Sequence, residues 1–263
     1  MIFLLHGKKI SKEFSKDIRF FIQEVQEQKF QILCTPVFGE ILKKNNLKDN
    51  NSHIKTISNI DSIGDKIDYL ICFGGDGTIL EAATIVKDTG IPIIGINTGR
   101  LGFLATISKD KLSALLGNLI KNNYKLSHRS LLQIHSKSHM LKNPFALNEI
   151  SVSSKENTSM INIKVFLNKK YLNTYWADGL IISTPTGSTG YSLSCGGPIV
   201  MPESNNFIIT PIAPHNLNVR PLVISDNNTI QIDIIDRKTR KFLLSMDSRN
   251  EYIKNSTSII IKK

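Results

Sequence analysis

The stretch YLICFGGDGT, residues 69–78, decides the fold of the first half of the chain. Its first five residues are apolar or aromatic, which is typical of a buried β-strand. The strand ends abruptly in three glycines around Asp76, and a helical pattern follows from Thr78. A buried strand that runs into a glycine turn and a helix indicates an open α/β sheet, in which ligands bind at the carboxyl ends of the strands.

The same alternation of strand and helix extends outward from this stretch. Strands are expected at residues 2–5, 30–37 and 92–96, helices at residues 11–28 and 109–121, and a polar surface loop at residues 42–56. Ser108 precedes the second helix as its expected N-cap. Continuous apolar strands interleaved with helices predict a parallel sheet that is covered on both faces. Residues 1–126 are therefore predicted to form a Rossmann-like α/β nucleotide-binding domain.

The pattern changes in residues 127–263. Segments such as Ile161–Val165 and Ile230–Ile234 alternate apolar and polar residues, turn residues recur between them, and no strong helical stripe appears. This pattern is typical of antiparallel sheets with one buried face. The predicted fold class is α/β plus all-β, with a carboxyl-terminal β-sandwich-like domain.

Composition says little about partners. The formal net charge is +11, but 26 Lys accompany only 7 Arg beside 39 Ile and 23 Asn, which looks like a bias spread over the whole chain. Because Arg makes the bidentate contacts to phosphates and guanine edges, its scarcity argues against a nucleic-acid partner. The three cysteines form no C-x-x-C pair, so neither a disulfide scaffold nor a protein metal site is expected. No run of 18 apolar residues occurs, and a cytoplasmic protein without a membrane span is expected.

The glycine cluster carries the first candidate chemistry. Gly74, Gly75 and Gly77 let a phosphate approach the backbone, and the following helix terminus supplies N–H donors. A carboxylate in such a cradle repels phosphate, so Asp76 is useful only if it takes a proton from a hydroxyl or holds a divalent metal. The alternative is an Asp that bonds the backbone of its own tight turn. Three glycines at a strand end favour the functional interpretation.

Two further constellations follow in the second half. Residues 178–198, DGLIISTPTGSTGYSLSCGGP, combine a short strand with a segment rich in Ser, Thr and Gly. The many small donors and acceptors of this segment suit a ligand with ribose and phosphate groups, although a solvated turn is the alternative. Asn148-Glu149 can grip a diol or an adenine edge, although a surface turn explains the dipeptide alone. His215 has no second His at metal-ligand spacing, and no G-x-S-x-G hydrolase motif occurs.

In this order, the segments resemble the ATP-dependent NAD kinases of bacteria. The matching pieces are FGGDGT (73–78), INTGRLGFLA (96–105), LNEI (147–150), residues 178–198 and PHNLNVRPLV (214–223). The glycine-aspartate cluster is shared with lipid kinases and, more loosely, with phosphofructokinases, whereas the 178–198 segment is much more specific. The resemblance implies a phosphotransferase that moves the γ-phosphoryl group of ATP to the 2′-hydroxyl of the adenosine ribose of NAD, giving NADP.

The resemblance also implies roles for particular residues. Asp76 would accept the proton of the hydroxyl, and the GGDGT residues Gly74, Gly75, Gly77 and Thr78 would face ATP. NAD would be held by Phe103, Asn148, Glu149, Asp178, Thr189, Gly190, Tyr191, Ser192, Leu193, Ser194 and Ala213. It further implies a divalent cation, Mg²⁺, carried with ATP, and a homodimer or homotetramer.

Three positions depart from the family pattern. Many members have Ala where Gly190 stands, and a basic residue often occupies the position of Trp176, so no cationic contact is carried over there. Arg249 stands where many members have a polar residue that contacts the ligand.

Two alternatives to an NAD kinase are a lipid kinase of the same superfamily and a dinucleotide sensor without turnover. The lipid kinase would need an apolar entrance, and the intact Asp76 argues against the sensor.

Overall fold

The computed structural model describes residues 1–47, 54–58, 67–99, 102–136, 141–154, 160–216, 218–235, 241–254 and 257–263. The chain divides into two compact units, Met1–Leu126 and Ser127–Lys263. Each unit has its own hydrophobic core.

The first unit contains a six-stranded parallel sheet. Its strands are β1 (Ile2–Gly7), β2 (Gln31–Cys34), β3 (Lys55–Thr56), β4 (Tyr69–Gly74), β5 (Ile93–Asn97) and β6 (Ile107–Ser108). They lie in the order β3-β2-β1-β4-β5-β6, which is the Rossmann order. The order reverses between β1 and β4, so the carboxyl end of β4 lies at the switch point where such sheets bind ligands.

Four helices cover this sheet: α1 (Phe14–Glu27), α2 (Pro36–Lys44), α3 (Asp76–Val86) and α4 (Leu112–Ile120). The apolar stripe of α1 is buried as the spacing predicts. The strand expected at residues 30–37 is too long, because it ends at Cys34 and Pro36 begins α2. Proline has its φ preset for the first turn of a helix. The loop expected at residues 42–56 is also partly wrong, since α2 runs to Lys44 and β3 forms at Lys55; residues 48–53 lie outside the described part of the chain.

The helix expected at residues 109–121 begins differently. A short 3-10 helix, Lys109–Lys111, precedes α4, and the Ser108 side chain makes no capping hydrogen bond to it. Leu112, Leu115, Leu116 and Leu119 are buried, whereas Ile120 is 41% exposed.

The second unit contains two six-stranded antiparallel sheets and little helix. Its strands are β7 (Leu132–Ser136), β8 (Phe145–Ala146), β9 (Glu149–Ser154), β10 (Ile161–Leu167), β11 (Lys170–Ala177), β12 (Gly179–Ser183), β13 (Asn206–Ile212), β14 (Leu222–Ser225), β15 (Ile230–Ile235), β16 (Lys241–Met246), β17 (Arg249–Lys254) and β18 (Ser258–Lys262). One sheet has the order β11-β10-β15-β18-β7-β8 and the other β14-β13-β12-β9-β16-β17. A 3-10 helix (Thr186–Thr189) and the four-residue α5 (Tyr191–Ser194) follow β12.

Both sheets contribute to one core. Ile161 and Ile163 of β10 and Leu180 and Ile182 of β12 belong to the same buried cluster. This packing forms a β-sandwich, and the predicted fold class is confirmed. The chain passes from one sheet to the other between β8 and β9, through the two residues Leu147 and Asn148. We call this link the sheet crossing.

Candidate functional site

The glycine turn connects β4 to α3 in the first unit. At Gly74, an added Cβ would lie 2.1 Å from the Thr78 hydroxyl, so no larger residue fits, and the Thr78 side chain is buried against this turn. At Gly75 and Gly77, an added Cβ would meet nothing within 4 Å. Gly75 and Gly77 therefore present bare, exposed backbone at the amino end of α3, where N–H groups favour an anion.

Asp76 is the first residue of α3, and its carboxylate binds a loop that is distant in sequence. Oδ2 accepts the N–H of Phe103 at 2.8 Å, and Oδ1 accepts those of Leu104 and Ala105 at 2.9 and 3.0 Å. An added Cβ at Gly102 would come within 2.2 Å of the carboxylate. Asp76 thus has a structural function, but it holds another loop rather than its own turn.

Asn97 supports the same loop from the end of β5. Its Nδ2 donates to the Ala105 carbonyl at 3.2 Å, and its Oδ1 accepts the Gly99 N–H at 2.8 Å. Phe103 is 66% exposed at the tip of the loop. Arg100 and Leu101, which belong to the matching motif, lie outside the described residues.

In the second unit, the sheet crossing is held by two residues that are distant in sequence, Thr184 and Asp247. Directly after β12, Thr184 N donates to the Asn148 carbonyl at 2.9 Å and Thr184 Oγ1 to the Leu147 carbonyl at 2.6 Å. From the turn after β16, the Asp247 carboxylate accepts three consecutive N–H groups: Leu147 at 3.0 Å, Asn148 at 2.8 Å and Glu149 at 3.2 Å. The backbone polar groups of the crossing are therefore satisfied within the protein.

Asp247 is itself enclosed. Its side chain is 3% exposed, and Arg249 Nη2 lies 3.8 Å from Oδ2. Arg249 also donates to the carbonyls of Asn143 and Phe145 and stands over the Phe145 ring. Burial raises the pKa of Asp247, while the three N–H donors and Arg249 act against that rise. Arg249 is thus held by contacts within the protein.

Two buried polar atoms at the crossing have no hydrogen-bond partner in the described part of the chain: Asn148 Oδ1 and Glu149 Oε2. Burial and the charge of Asp247 raise the pKa of Glu149 to about 7, and a hydrogen bond from the Tyr191 backbone opposes this rise. An added Cβ at Gly190 would lie 2.9 Å from Glu149 Oε2. The structure therefore brings Asn148, Glu149, Gly190 and Tyr191 together, and it leaves two acceptors there without a donor.

The segment 185–194 is more ordered than the open polar loop that the sequence predicts. Ser188 Oγ accepts the Val200 N–H at 3.1 Å, and Ser192 Oγ lies 2.8 Å from Thr210 Oγ1. An added Cβ at Gly187 would lie 2.1 Å from the Asn148 carbonyl. These contacts hold the segment against Val200, β13 and the sheet crossing, so the Ser188 and Ser192 hydroxyls bond within the protein.

The remaining predicted residues lie at the ends of β12 and β13. Asp178 is exposed, and its N–H donates to the Ile212 carbonyl at 3.0 Å, which places it beside Ala213. Ala213 has a φ of +43°. Burial raises the pKa of Tyr191, with smaller contributions from Cys195, Asp178 and Glu149, so Tyr191 lies in the electrostatic reach of both carboxylates. Thr189 is half-buried, and Leu193 and Ser194 are exposed on this segment.

Comparison with known protein families identifies the kind of protein that carries these two sites. Residues 7–124 match the ATP-NAD kinase N-terminal domain, and residues 147–262 match the ATP-NAD kinase C-terminal domain. The chain belongs to the NAD kinase family. The chain is therefore a kinase, that is, a phosphotransferase. The family expected from the motifs is confirmed.

Relatives support the same assignment along the chain. An NAD kinase of Cytophaga hutchinsonii is 42% identical over 264 residues, covering 100% of this chain and 89% of the relative. One of Flavobacterium johnsoniae is 50% identical over 212 residues, covering 80% and 72%. The solved yeast NADH kinase complexed with NADH superposes with a TM-score of 0.87 at 26% identity, over 100% of this chain and 78% of that one. An Archaeoglobus fulgidus NAD kinase in complex with ATP, at 23% identity and a TM-score of 0.71 over 100% and 90%, shows the shared fold.

The described residues include no cluster of side chains that could bind a metal ion. Across the described residues, no three His, Cys, Asp or Glu side chains gather closely enough to hold an ion. Mg²⁺ is commonly bound by substrate phosphates and water with one or two carboxylates, so a cation that arrives with ATP does not need such a cluster. The described helices also include none that is long and apolar enough to cross a membrane.

Three residues that hold candidate site segments were not predicted from the sequence: Asn97 and Gly102 in the first unit and Asp247 in the second. Asn97 and Gly102 lie inside a quoted motif, and their motif position was the available signal. Asp247 lies 98 residues from Glu149, and its only local signal is a turn between two alternating segments.

Proposed function

We propose that the chain transfers the γ-phosphoryl group of ATP to the 2′-hydroxyl of the adenosine ribose of NAD, producing ADP and NADP. Family membership and the relatives named NAD kinase support this reaction. The observation that supports NAD binding is that two buried acceptors, Asn148 Oδ1 and Glu149 Oε2, have no hydrogen-bond partner among the described residues. Buried acceptors need donors, and ribose hydroxyls and the adenine amino group are donors.

On the donor side, the bare backbone of Gly75 and Gly77 at the amino end of α3 suits the phosphates of ATP. The N–H groups of the first helical turn and the positive end of the helix dipole favour their charge. A Mg²⁺ ion carried with ATP would neutralise charge on the phosphates. The remaining GGDGT residues, Gly74 and Thr78, maintain the shape of the turn.

Asp76 is proposed to accept the proton of the attacking hydroxyl. A carboxylate offers about four lone-pair positions, and three are taken by N–H groups, two on Oδ1 and one on Oδ2. Oδ2 can therefore accept one more hydrogen bond. As the 2′-oxygen bonds to the γ-phosphorus, the bond from that phosphorus to the β–γ bridging oxygen breaks, ADP leaves, and the hydroxyl proton moves to Asp76 Oδ2.

NAD is proposed to bind through the residues that the resemblance indicates. Asn148 and Glu149 would accept hydrogen bonds from it, and Gly190 leaves space beside the Glu149 carboxylate. The other proposed contacts are Phe103, Asp178, Thr189, Tyr191, Leu193, Ser194 and Ala213. Ser192 is fully buried and its hydroxyl is paired with Thr210, so it is proposed to position this segment.

We further propose a cytoplasmic enzyme that works as a homodimer or homotetramer. The three cysteines are free thiols, which fits a reducing compartment. The edge strand β14 exposes Leu222 and Val223, 38% and 48% accessible, which suits a contact between subunits. Light scattering coupled to size-exclusion chromatography measures the assembly, and a monomer at micromolar concentration would contradict this proposal.

Product analysis tests the reaction directly. The purified chain is incubated with ATP, Mg²⁺ and NAD, and NADP is measured with an NADP-specific dehydrogenase. Parallel samples contain a diacylglycerol or a sphingoid base as acceptor. We expect NADP and no lipid phosphate. Lipid phosphate without NADP would favour the lipid-kinase alternative, and NAD binding without any product would favour the sensor.

A further inference from the structure

The second unit carries a pocket that the proposed reaction does not use. It has a volume of about 520 Å³ and lies between β11 and the segment that leads into β14. Its lining includes Asn173, Tyr175, Asn216, Asn218, Arg220 and Leu222. None of them belongs to the residues proposed above to bind ATP or NAD.

The Tyr175 hydroxyl is the unusual group in this pocket. The side chain is 0% exposed in the core of the sandwich, and its oxygen has no hydrogen-bond partner among the residues that the structure describes. Burial raises the pKa of Tyr175, and the Asn173 side chain opposes this rise, so the group is a neutral O–H that can donate. A buried hydroxyl without a partner is costly, which points to a ligand that completes its bonding.

The amides around it also present donors. Asn173 Oδ1 accepts the Thr174 N–H at 2.9 Å, and Asn216 Oδ1 accepts the Trp176 N–H at 3.3 Å. With both amide oxygens engaged by the backbone, these side chains offer their NH₂ groups to a further partner. Asn218 adds an amide and Arg220 a positive charge, and none of the described residues that line the pocket is acidic. The lining therefore favours a ligand that has acceptor oxygens and a negative charge.

We propose that this pocket binds the carboxylate or phosphate group of a small anionic molecule, with the Tyr175 hydroxyl, the Asn173 and Asn216 amides and the Arg220 guanidinium as its donors. Planar or tetrahedral oxyanions accept several hydrogen bonds at once, and guanidinium binds both classes. Leu222 forms an apolar wall against which the carbon skeleton of such a molecule can pack.

Thermal unfolding tests the proposal with inorganic phosphate and succinate as separate probes. Wild type is compared with Tyr175→Phe and Arg220→Gln, each against sodium chloride at equal ionic strength. Because phosphate also stabilises proteins by exclusion from their surface, the difference between wild type and variant is the readout. We expect at least one probe to raise the wild-type Tm by about 2–4 °C more than the Tm of either variant.

The probe that acts identifies the ligand chemistry as phosphate or carboxylate. Without anion, Tyr175→Phe should have an unchanged or higher Tm, because it removes an unpaired buried hydroxyl and keeps the ring. Its kinase activity should also equal that of wild type. Equal shifts in all three proteins, or no shift of wild type with either probe, would overturn the proposal, as would a Tyr175→Phe protein that is much less stable without anion.

Discussion

Two aspartates of this chain perform the same structural task in different surroundings. Asp76 in the first unit and Asp247 in the second each accept three consecutive backbone N–H groups from a segment distant in sequence. Asp76 is only half-buried and stands at a helix amino terminus beside bare glycine backbone. Asp247 is buried, with Arg249 on one side and Glu149 on the other.

The difference in exposure separates what the two carboxylates can do. The half-buried Asp76 can receive a hydroxyl from a ligand, because its fourth lone-pair position is open to a further donor. Asp247 is enclosed, so its influence on a ligand must pass through the backbone of the crossing and through the charge of Glu149. We therefore regard Asp76 as the proposed catalytic residue and Asp247 as a positioning residue.

The largest expected effect comes from Asp76→Asn. The amide cannot take up the hydroxyl proton, so we expect kcat to fall by about 10²–10⁴-fold. Steady-state NADP formation measures the rate, and calorimetry measures ATP and NAD binding. The matched control is Asp110→Asn, which alters an exposed aspartate in the first turn of the neighbouring 3-10 helix.

The two functions of Asp76 can be told apart by these measurements. If Asp76 acts only as an anchor for residues 103–105, Tm and ligand affinity should fall together with the rate. A variant that binds both substrates and keeps the wild-type kcat would contradict the proposed proton transfer.

The next effect is expected from Asp247→Asn. An amide has one acceptor oxygen and places NH₂ donors against backbone N–H groups, which costs about 1–3 kcal/mol. We expect Tm to fall by about 3–10 °C and the KM for NAD to rise about tenfold, with kcat changed much less.

Asp226→Asn is the control for this prediction. Asp226 is also buried in the second unit, but its partner is Lys263, at 2.6 Å, and it does not touch the crossing. Its replacement should lower Tm without changing the KM for NAD. If both variants alter KM equally, Asp247 does not position the NAD site.

The contrast between these aspartates also shows what could be predicted from sequence. The Gly–Asp cluster was located correctly because a strand, a turn and a helix are adjacent in sequence and all three leave local patterns. The partners of both carboxylates were not predicted, since Asp76 bonds residues 27–29 positions away and Asp247 bonds residues 98–100 positions away. Periodicity carries no information about such polar pairs.

The second half shows the same limit. Alternation predicted the inward faces of β10 and β15, because burial of one sheet face imposes a period of two. It did not show that the hydroxyls of Ser188 and Ser192 turn inward. In a short helical segment, polar side chains pair with nearby buried groups, and composition alone suggests exposure.

A third prediction concerns pH and Glu149. Its raised pKa, about 7, means that the free protein holds this carboxyl half-protonated near neutrality. If the ionised form accepts hydrogen bonds from NAD, the affinity should fall about tenfold between pH 8 and pH 6. Calorimetry across this range measures the effect. Glu149→Gln should bind NAD weakly with a flat profile, and exposed Glu203→Gln should behave as wild type.

Stability should vary in the opposite direction. In the unfolded chain Glu149 ionises near pH 4.5, whereas in the folded protein it ionises near 7, so between these values the folded state binds more protons. Its contribution to stability is therefore complete below about pH 4.5 and is lost as pH rises to 7, by at most about 3 kcal/mol. The free energy of unfolding of wild type minus that of Glu149→Gln should decrease across this window, and an increase would contradict the assignment.

The smallest effect is expected from Gly190→Ala. The added Cβ would lie 2.9 Å from Glu149 Oε2, the movable end of a side chain, so the carboxylate must shift by a few tenths of an ångström. We expect a cost of about 0.5 kcal/mol, or about a twofold weaker Kd for NAD. The methyl group also adds apolar bulk beside the carboxylate, which should move the midpoint of the pH profile upward. Gly117→Ala in α4 is the matched control, because its added Cβ meets nothing within 4 Å. It should leave Kd and midpoint unchanged, and an unshifted midpoint in Gly190→Ala would place Glu149 away from this glycine.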